Sequence, residues 1–239
     1  MTRTVKSDPT KSTRRILRYE KALVSLMQKF KREARTVVKA GYARKQFAIP
    51  ESVMSDMISF LNIAAIADDI AEAGEGVIVR LITEAYRGGV TFGSMQLIMP
   101  PAARLNENTN IALLIQKNNT LFAGITEDVS TDIQRVISDG VIKEKPLYQI
   151  VEEIEDRFGV GISRAKTMAR TEIMTAVNQG AIDEYKAAGV EELEWLAALD
   201  EQMCDTCGAL HGKRWPITSA PDCPAHPRCR CCLVPVILK

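Results

Sequence analysis

From Ser12 to Lys39 the apolar residues Ile16, Tyr19, Leu23, Leu26, Met27, Phe30, Ala34, Val37 and Val38 recur at three- and four-residue spacing. That period gathers them on one face of an amphipathic helix, and the other face carries Arg14, Arg15, Arg18, Lys21, Lys29, Arg32 and Arg35. Gly41 and Pro50 place a connection over 40–50. The pattern then predicts a second helix from Glu51 to Ala73, ending near Gly74-Glu75-Gly76, and a third from Val77 to Tyr86. Gly88, Gly89, Gly93, Pro100 and Pro101 predict a loop with short helical pieces over 87–103. Further helices are expected over 110–116, 121–138, 147–157 and 162–188. Pro146 suits a first turn, Gly159-Val160-Gly161 separates the last two helices, and Gly189 stands at a C-cap.

Beyond Gly189 the period changes. Short β-type segments run over 193–197, 213–217 and 233–238, and five of the ten prolines fall in the last 24 residues, so little helix is expected there. So short a segment has too few apolar side chains to hold itself together, and an added constraint is expected. The fold class is therefore mainly α: helical N-terminal and middle regions followed by a small C-terminal α+β module.

Composition supports a real core: 46% of the 239 residues are hydrophobic and 26% charged, which argues against a disordered tail. Apolar stretches such as Met57 to Ala67 are broken well before a bilayer could be crossed, so no membrane partner is expected. The basic N-terminus lacks an apolar h-region, and a reducing cytosol is the expected place of synthesis. The net charge of +1 conceals a strong asymmetry. Residues 1–45 hold 14 Lys and Arg against Asp8, Glu20 and Glu33, a balance of +11, whereas the remaining 194 residues carry −10. A basic arm on an acidic body fits a polyanionic partner, nucleic acid or an acidic protein, or else a solvated charged helix. No aromatic cluster among these cations offers a platform for single-stranded bases.

All six cysteines and both histidines lie within 204–232. Cys204-Asp-Thr-Cys207 sets two thiols on one tight turn, and His226-Pro-Arg-Cys229-Arg-Cys231-Cys232 brings a second set of soft donors some twenty residues later. That spacing can close a tetrahedron around zinc, and a structural zinc is the leading reading over disulfides or free thiols. Neighbouring Lys213, Arg214, Arg228 and Arg230 would favour thiolates. The ligand set stays open between Cys204, Cys207, Cys229 and Cys232, and Cys204, Cys207 and His226 with Cys229 or Cys231. His211 is either a further donor or a turn residue. Asp200, Glu201, Asp205 and Asp222 are carboxylates available to a catalytic site, but turn formation is their usual role in such a knuckle. A dithiol redox site would need Cys204-Cys207 to open a long helix, and Gly208 and Gly212 argue against one. The chain carries no Gly-rich phosphate loop, no Gly-x-Ser-x-Gly elbow and no His-Glu-x-x-His.

The run from Ile162-Ser-Arg-Ala-Lys-Thr-Met-Ala-Arg-Thr-Glu172, through Asn178, Gly189-Val190, Trp195 and Asp200, to Cys204-Asp-Thr-Cys207, Leu210, Gly212-Lys213 and His226-Pro-Arg-Cys229-Arg-Cys231, resembles the phage head morphogenesis domain of Mu F-like minor head proteins. The resemblance covers about 120–239. It implies a head morphogenesis domain at 120–239 with its Cys/His metal module at 200–239, which the charge and hydrophobic pattern precede with a basic helical arm at 1–45 and a helical region at 46–119. It also implies a non-enzymatic minor capsid protein of a tailed phage or prophage, assembled in the bacterial cytoplasm and placed in the virion, inside the head near the portal. Portal and other head proteins are then the implied partners, with packaged double-stranded DNA a further one for the basic arm. By motif position the metal ligands are Cys204, Cys207, His226 and either Cys229 or Cys231, and Cys223 and Cys232 fall outside the pattern. Arg170-Thr171-Glu172 matches a signature that a helix-surface hydrogen bond or ion pair against the zinc module would explain. Two other classes stand beside this reading: a toxin-like enzyme carrying the same domain, and a zinc-bearing nucleic-acid-binding protein.

Overall fold

The computed structural model describes residues 10–43, 62–101, 106–143, 145–199 and 203–237. Among the described residues four long helices lead, α1 (Thr13–Ala43), α2 (Ile63–Leu97), α3 (Glu107–Ile142) and α4 (Leu147–Ala187). They are followed by strand β1 (Glu192–Leu196), the short helix α5 (Asp205–Leu210), and strands β2 (Arg214–Pro216) and β3 (Cys232–Pro235). The mainly α class with a small C-terminal sheet is thus the observed one. Among the described residues no helix is long and apolar enough to cross a membrane.

The chain divides into two compact units, each drawn from separated stretches of sequence. One comprises Lys21–Val77 and Asn118–Lys166 and is built, where described, from helical segments. The α1 stripe supplies Leu23, Met27, Phe30, Ala34 and Val38, all fully buried, at the spacing the sequence predicts. Ile70, Phe122, Ile133, Ile150 and Phe158 of the same unit are buried as well. Phe30 and Phe158 meet edge to face, with ring centroids 5.1 Å apart. The cations of α1 stay outside, where Lys31 and Arg35 both reach Glu155, at 3.7 and 3.2 Å.

The other unit comprises Met1–Glu20, Ile78–Lys117 and Thr167–Lys239. Here α2 and α4 cross with their backbones in contact. A Cβ on Gly89 would strike the carbonyl of Val177, and one on Gly180 the carbonyl of Tyr86. Beside the crossing Asp183 accepts from the Tyr86 hydroxyl at 2.6 Å and from Asn110 Nδ2 at 2.7 Å, which ties α2 and α3 to α4. Ser94 donates to the buried Glu184 at 2.9 Å.

The expected helix boundaries at glycine are corrected by the structure. The second helix does not end at Gly74-Gly76, and the loop over 87–103 is helix as far as Leu97. The segments expected at 110–116 and 121–138 form one helix, as do those on either side of Gly159-Val160-Gly161. A glycine inside a helix costs about 1 kcal/mol against alanine, so it weakens a helix without ending it. Gly89, Gly161 and Gly180 stand where a neighbouring element leaves no room for a side chain. At Gly161 a Cβ would lie 2.6 Å from Val129 Cγ2. Gly189 does end α4: its φ of 74° is the left-handed conformation that glycine takes without strain, and the Val190 N–H returns to the Tyr185 carbonyl at 3.0 Å. The connection expected over 40–50 is helix as far as Ala43, since Gly41 does not end α1; its remainder, 44–50, and the first part of the second helix, 51–61, lie outside the described residues.

The strands fall within a residue or two of their expected places at the N-terminal ends and close a three-stranded antiparallel sheet in the order β2-β1-β3. In register, Leu193 faces Trp215 on β2 and Trp195 faces Leu233 on β3. Trp195, Leu193 and Leu233 bury one side of this sheet together with Tyr185 of α4 and Cys207.

Candidate metal centre

Cys204 caps the N-terminus of α5, and its Sγ accepts the Cys207 N–H at 3.4 Å. This is what the two-residue spacing achieves: one turn of helix presents both sulfurs on the same side. The helix is one and a half turns long, ends at His211, and turns back through Gly212, at a φ of 76°, into β2. It was not foreseen in the sequence. The second donor segment is a turn closed by the Cys229 N–H on the His226 carbonyl at 3.2 Å.

These two turns bring five of the sequence-predicted donors together. His226 Nε2 lies 3.2 Å from Cys204 Sγ and 3.1 Å from Cys207 Sγ, and Cys207 Sγ lies 3.6 Å from Cys229 Sγ. Cys204, Cys207 and His226 form one compact set, and Cys207, Cys229 and Cys231 another, with Cys207 common to both. Tetrahedral zinc bonds sulfur at about 2.3 Å, so its thiolates stand about 3.8 Å apart, close to the spacing found here. The tautomer also fits. His226 Nδ1 donates to the Pro227 carbonyl at 2.9 Å, which leaves Nε2, the atom aimed at the sulfurs, with its lone pair available.

The remaining candidates point elsewhere. Cys223 is buried and donates to the Cys231 carbonyl at 3.2 Å. Cys232 is buried on β3 in a small cluster with Leu196 and Val234. His211 Nδ1 accepts the Ala197 N–H at 3.2 Å, so that nitrogen serves the end of β1. Asp200 and Glu201 lie outside the described residues.

The thiols of the cluster do not titrate alike. Hydrogen bonding from the Cys231 side chain holds Cys229 at about 5, and the same pair drives Cys231 far upward. Burial pushes Cys207 up to about 12. The Cys207 backbone N–H lowers Cys204, and the bond to Pro227 raises His226. Sulfurs this close cannot all carry charge by themselves. A divalent cation among them would favour the thiolate form of each, and that is the chemistry it would supply here.

The cluster is fastened to α4 by groups whose function was not legible in the sequence. Arg228, at a φ of 64°, donates its N–H to Thr171 Oγ1 at 3.1 Å and its Nε–H to Thr167 Oγ1 at 3.0 Å. Asn178 donates to the Cys231 carbonyl and accepts the Leu233 N–H, both at 3.2 Å. Within the Arg170-Thr171-Glu172 signature, then, Thr171 holds the second donor turn. Arg170 pairs with Glu20 at 3.4 Å and the buried Glu172 with Lys117 at 3.0 Å.

The helix, its polar links and the donor turns form a single stretch of sequence, and that stretch has known relatives. Residues 131–234 match the family of phage Mu protein F like proteins. The resemblance read from the residues therefore holds for the C-terminal half, and the Mu F-like segment takes in the last turns of α3, all of α4, the sheet and every candidate metal ligand. No curated protein and no solved structure matches the chain. Thr171, Asn178 and Arg228 lie inside the Mu F-like segment, whereas α1 and α2 lie before it.

Proposed function

We propose that this chain is a phage head protein, a minor capsid component inside the head near the portal, and that its Mu F-like segment is closed by one structural zinc. The family match supports the head assignment. The observation that carries the metal reading is the convergence of His226 Nε2 on Cys204 and Cys207 within 3.2 Å, with Cys229 and Cys231 grouped around the same Cys207 sulfur. Cys204, Cys207 and His226 would hold the ion, with Cys229 or Cys231 completing four protein ligands. A set of four protein ligands leaves no position for water or substrate, which favours a structural role over a catalytic one. The partners in this reading are head proteins, the portal among them, and packaged DNA where cations face it.

Two measurements test the two halves of the proposal. Metal analysis of chain purified under reducing conditions is expected to give about one zinc per chain, with thiols becoming reactive when a chelator removes it. Absence of zinc, with all thiols reactive from the start, would overturn the metal centre. Proteomic analysis of purified particles from the producing bacterium is expected to find the chain at low copy in DNA-filled heads, and its absence from heads and head precursors would overturn the head assignment.

A further inference from the structure

A cleft of about 1040 Å³ opens between the start of α1 and the end of α2, and none of the metal donors lines it. Among the described residues its walls carry Lys11, Arg14, Arg15, Arg18 and Arg87 against one carboxylate, Glu84. Arg18 is taken up by Glu84 at 3.0 Å and Arg87 by Glu107 at 3.3 Å. Lys11, Arg14 and Arg15 have no carboxylate partner among the described residues. The Arg15 guanidinium lies over the bare backbone of Gly88, its Cζ 2.5 Å from where a Cβ would stand, so a larger residue at 88 would displace it.

The cleft is also apolar where it meets the end of α2. Phe92 and Met95 line it, and α2 ends two residues later at Leu97. Met95, Ile98 and Met99 are 67%, 92% and 55% exposed. Ile98 sits at a φ of 56°, a costly conformation for a β-branched residue, and the Met99 N–H returns to the Ser94 carbonyl at 3.2 Å. The end of α2 therefore leaves Met95, Ile98 and Met99 open to solvent, and Met95 lies in the cleft with cations that have no carboxylate partner among the described residues. Phosphate contacts need cations and hydroxyls but gain little from an apolar floor. A protein segment with apolar residues on one face and carboxylates on the other would use both features.

We propose that this cleft binds an acidic amphipathic helix of a partner protein, its apolar face on Phe92 and Met95 and its carboxylates against Lys11, Arg14 and Arg15. This goes beyond the head-protein reading and does not rest on the metal centre. Methionine adapts its shape to a partner, and the cations set the direction in which the helix lies.

The test uses the full chain and a labelled helical peptide of about 20 residues with leucine on one face and glutamate on the other. Fluorescence anisotropy is expected to show saturable binding that weakens about tenfold with Lys11→Glu plus Arg14→Glu, and about fivefold with Met95→Ser. All substituted residues are exposed or at the cleft rim, so circular dichroism should match that of the parent chain. Equal binding of polyglutamate or of duplex DNA, with Met95→Ser neutral, would overturn the proposal in favour of a plain polyanion surface. Failure of the amphipathic peptide to bind would overturn it outright, as would self-association of the chain that Met95→Ser abolishes.

Discussion

The helical core around Phe30 and Phe158 and the small sheet with its cysteine turns hold together by different means. The first relies on repetition: each turn of α1 adds a buried apolar side chain, and the cost of losing any one is local. The second has three strands of three to five residues and compensates with a few specific polar links, Asn178 to β3 and Arg228 to Thr171, around a cluster of sulfurs. A repeated apolar pattern tolerates change by degrees. A cluster of donors is complete or it is not.

That contrast is most sharply broken at the sulfurs. Cys204→Ser with Cys207→Ser removes two donors of the proposed site, and structural zinc in small domains contributes on the order of 10 kcal/mol. The C-terminal 50 residues are expected to become the first target of limited proteolysis while most of the far-UV helical signal stays. A helical signal that collapsed altogether would show that the long helices depend on the cluster too.

Phe158→Ala tests the other side. Loss of a buried aromatic ring costs about 3–5 kcal/mol, and the ring of Phe30 loses its edge-to-face partner. Thermal unfolding should move to lower temperature with zinc content unchanged. Loss of metal from the variant under conditions where the parent chain keeps it would contradict the separate support assigned to the two regions.

The smallest effects come from glycine. Gly159 has open space where a Cβ would stand, so Gly159→Ala should stabilise α4 by about 0.5–1 kcal/mol. Gly89→Ala should instead destabilise by about 1–3 kcal/mol, since α2 and α4 must part to admit a methyl group. Equal and favourable shifts in melting temperature from both would remove the steric account of the crossing.

These two glycines also show what a sequence conceals. The α1 stripe and the three strands are legible because hydrophobic period is a local property, read within one window. Whether a glycine interrupts a helix or seats a neighbour depends on a residue some ninety positions away, as Val177 is from Gly89. The donors of the candidate metal centre were legible for a related reason, since Cys and His so concentrated have few other uses, but their partition was not. Cys232 differs from Cys231 only in facing the other side of a strand start, and His211 from His226 only in the turn that aims its ring. The anchoring role of Arg228 was out of reach because its partners, Thr167 and Thr171, lie on a helix some sixty residues earlier.

The two tryptophans of the chain, Trp195 and Trp215, both belong to the small sheet, one fully buried against the cysteine cluster and the other half-buried beside Leu193. Indole emission is therefore an unlabelled optical probe of that sheet alone. Thiolate quenching should dim Trp195 when the sulfurs change state, and excitation at the red edge of the absorption band leaves the tyrosines of the helices dark. One cuvette can thus follow the ends of the comparison separately, by emission for the sheet and by ellipticity for the helices.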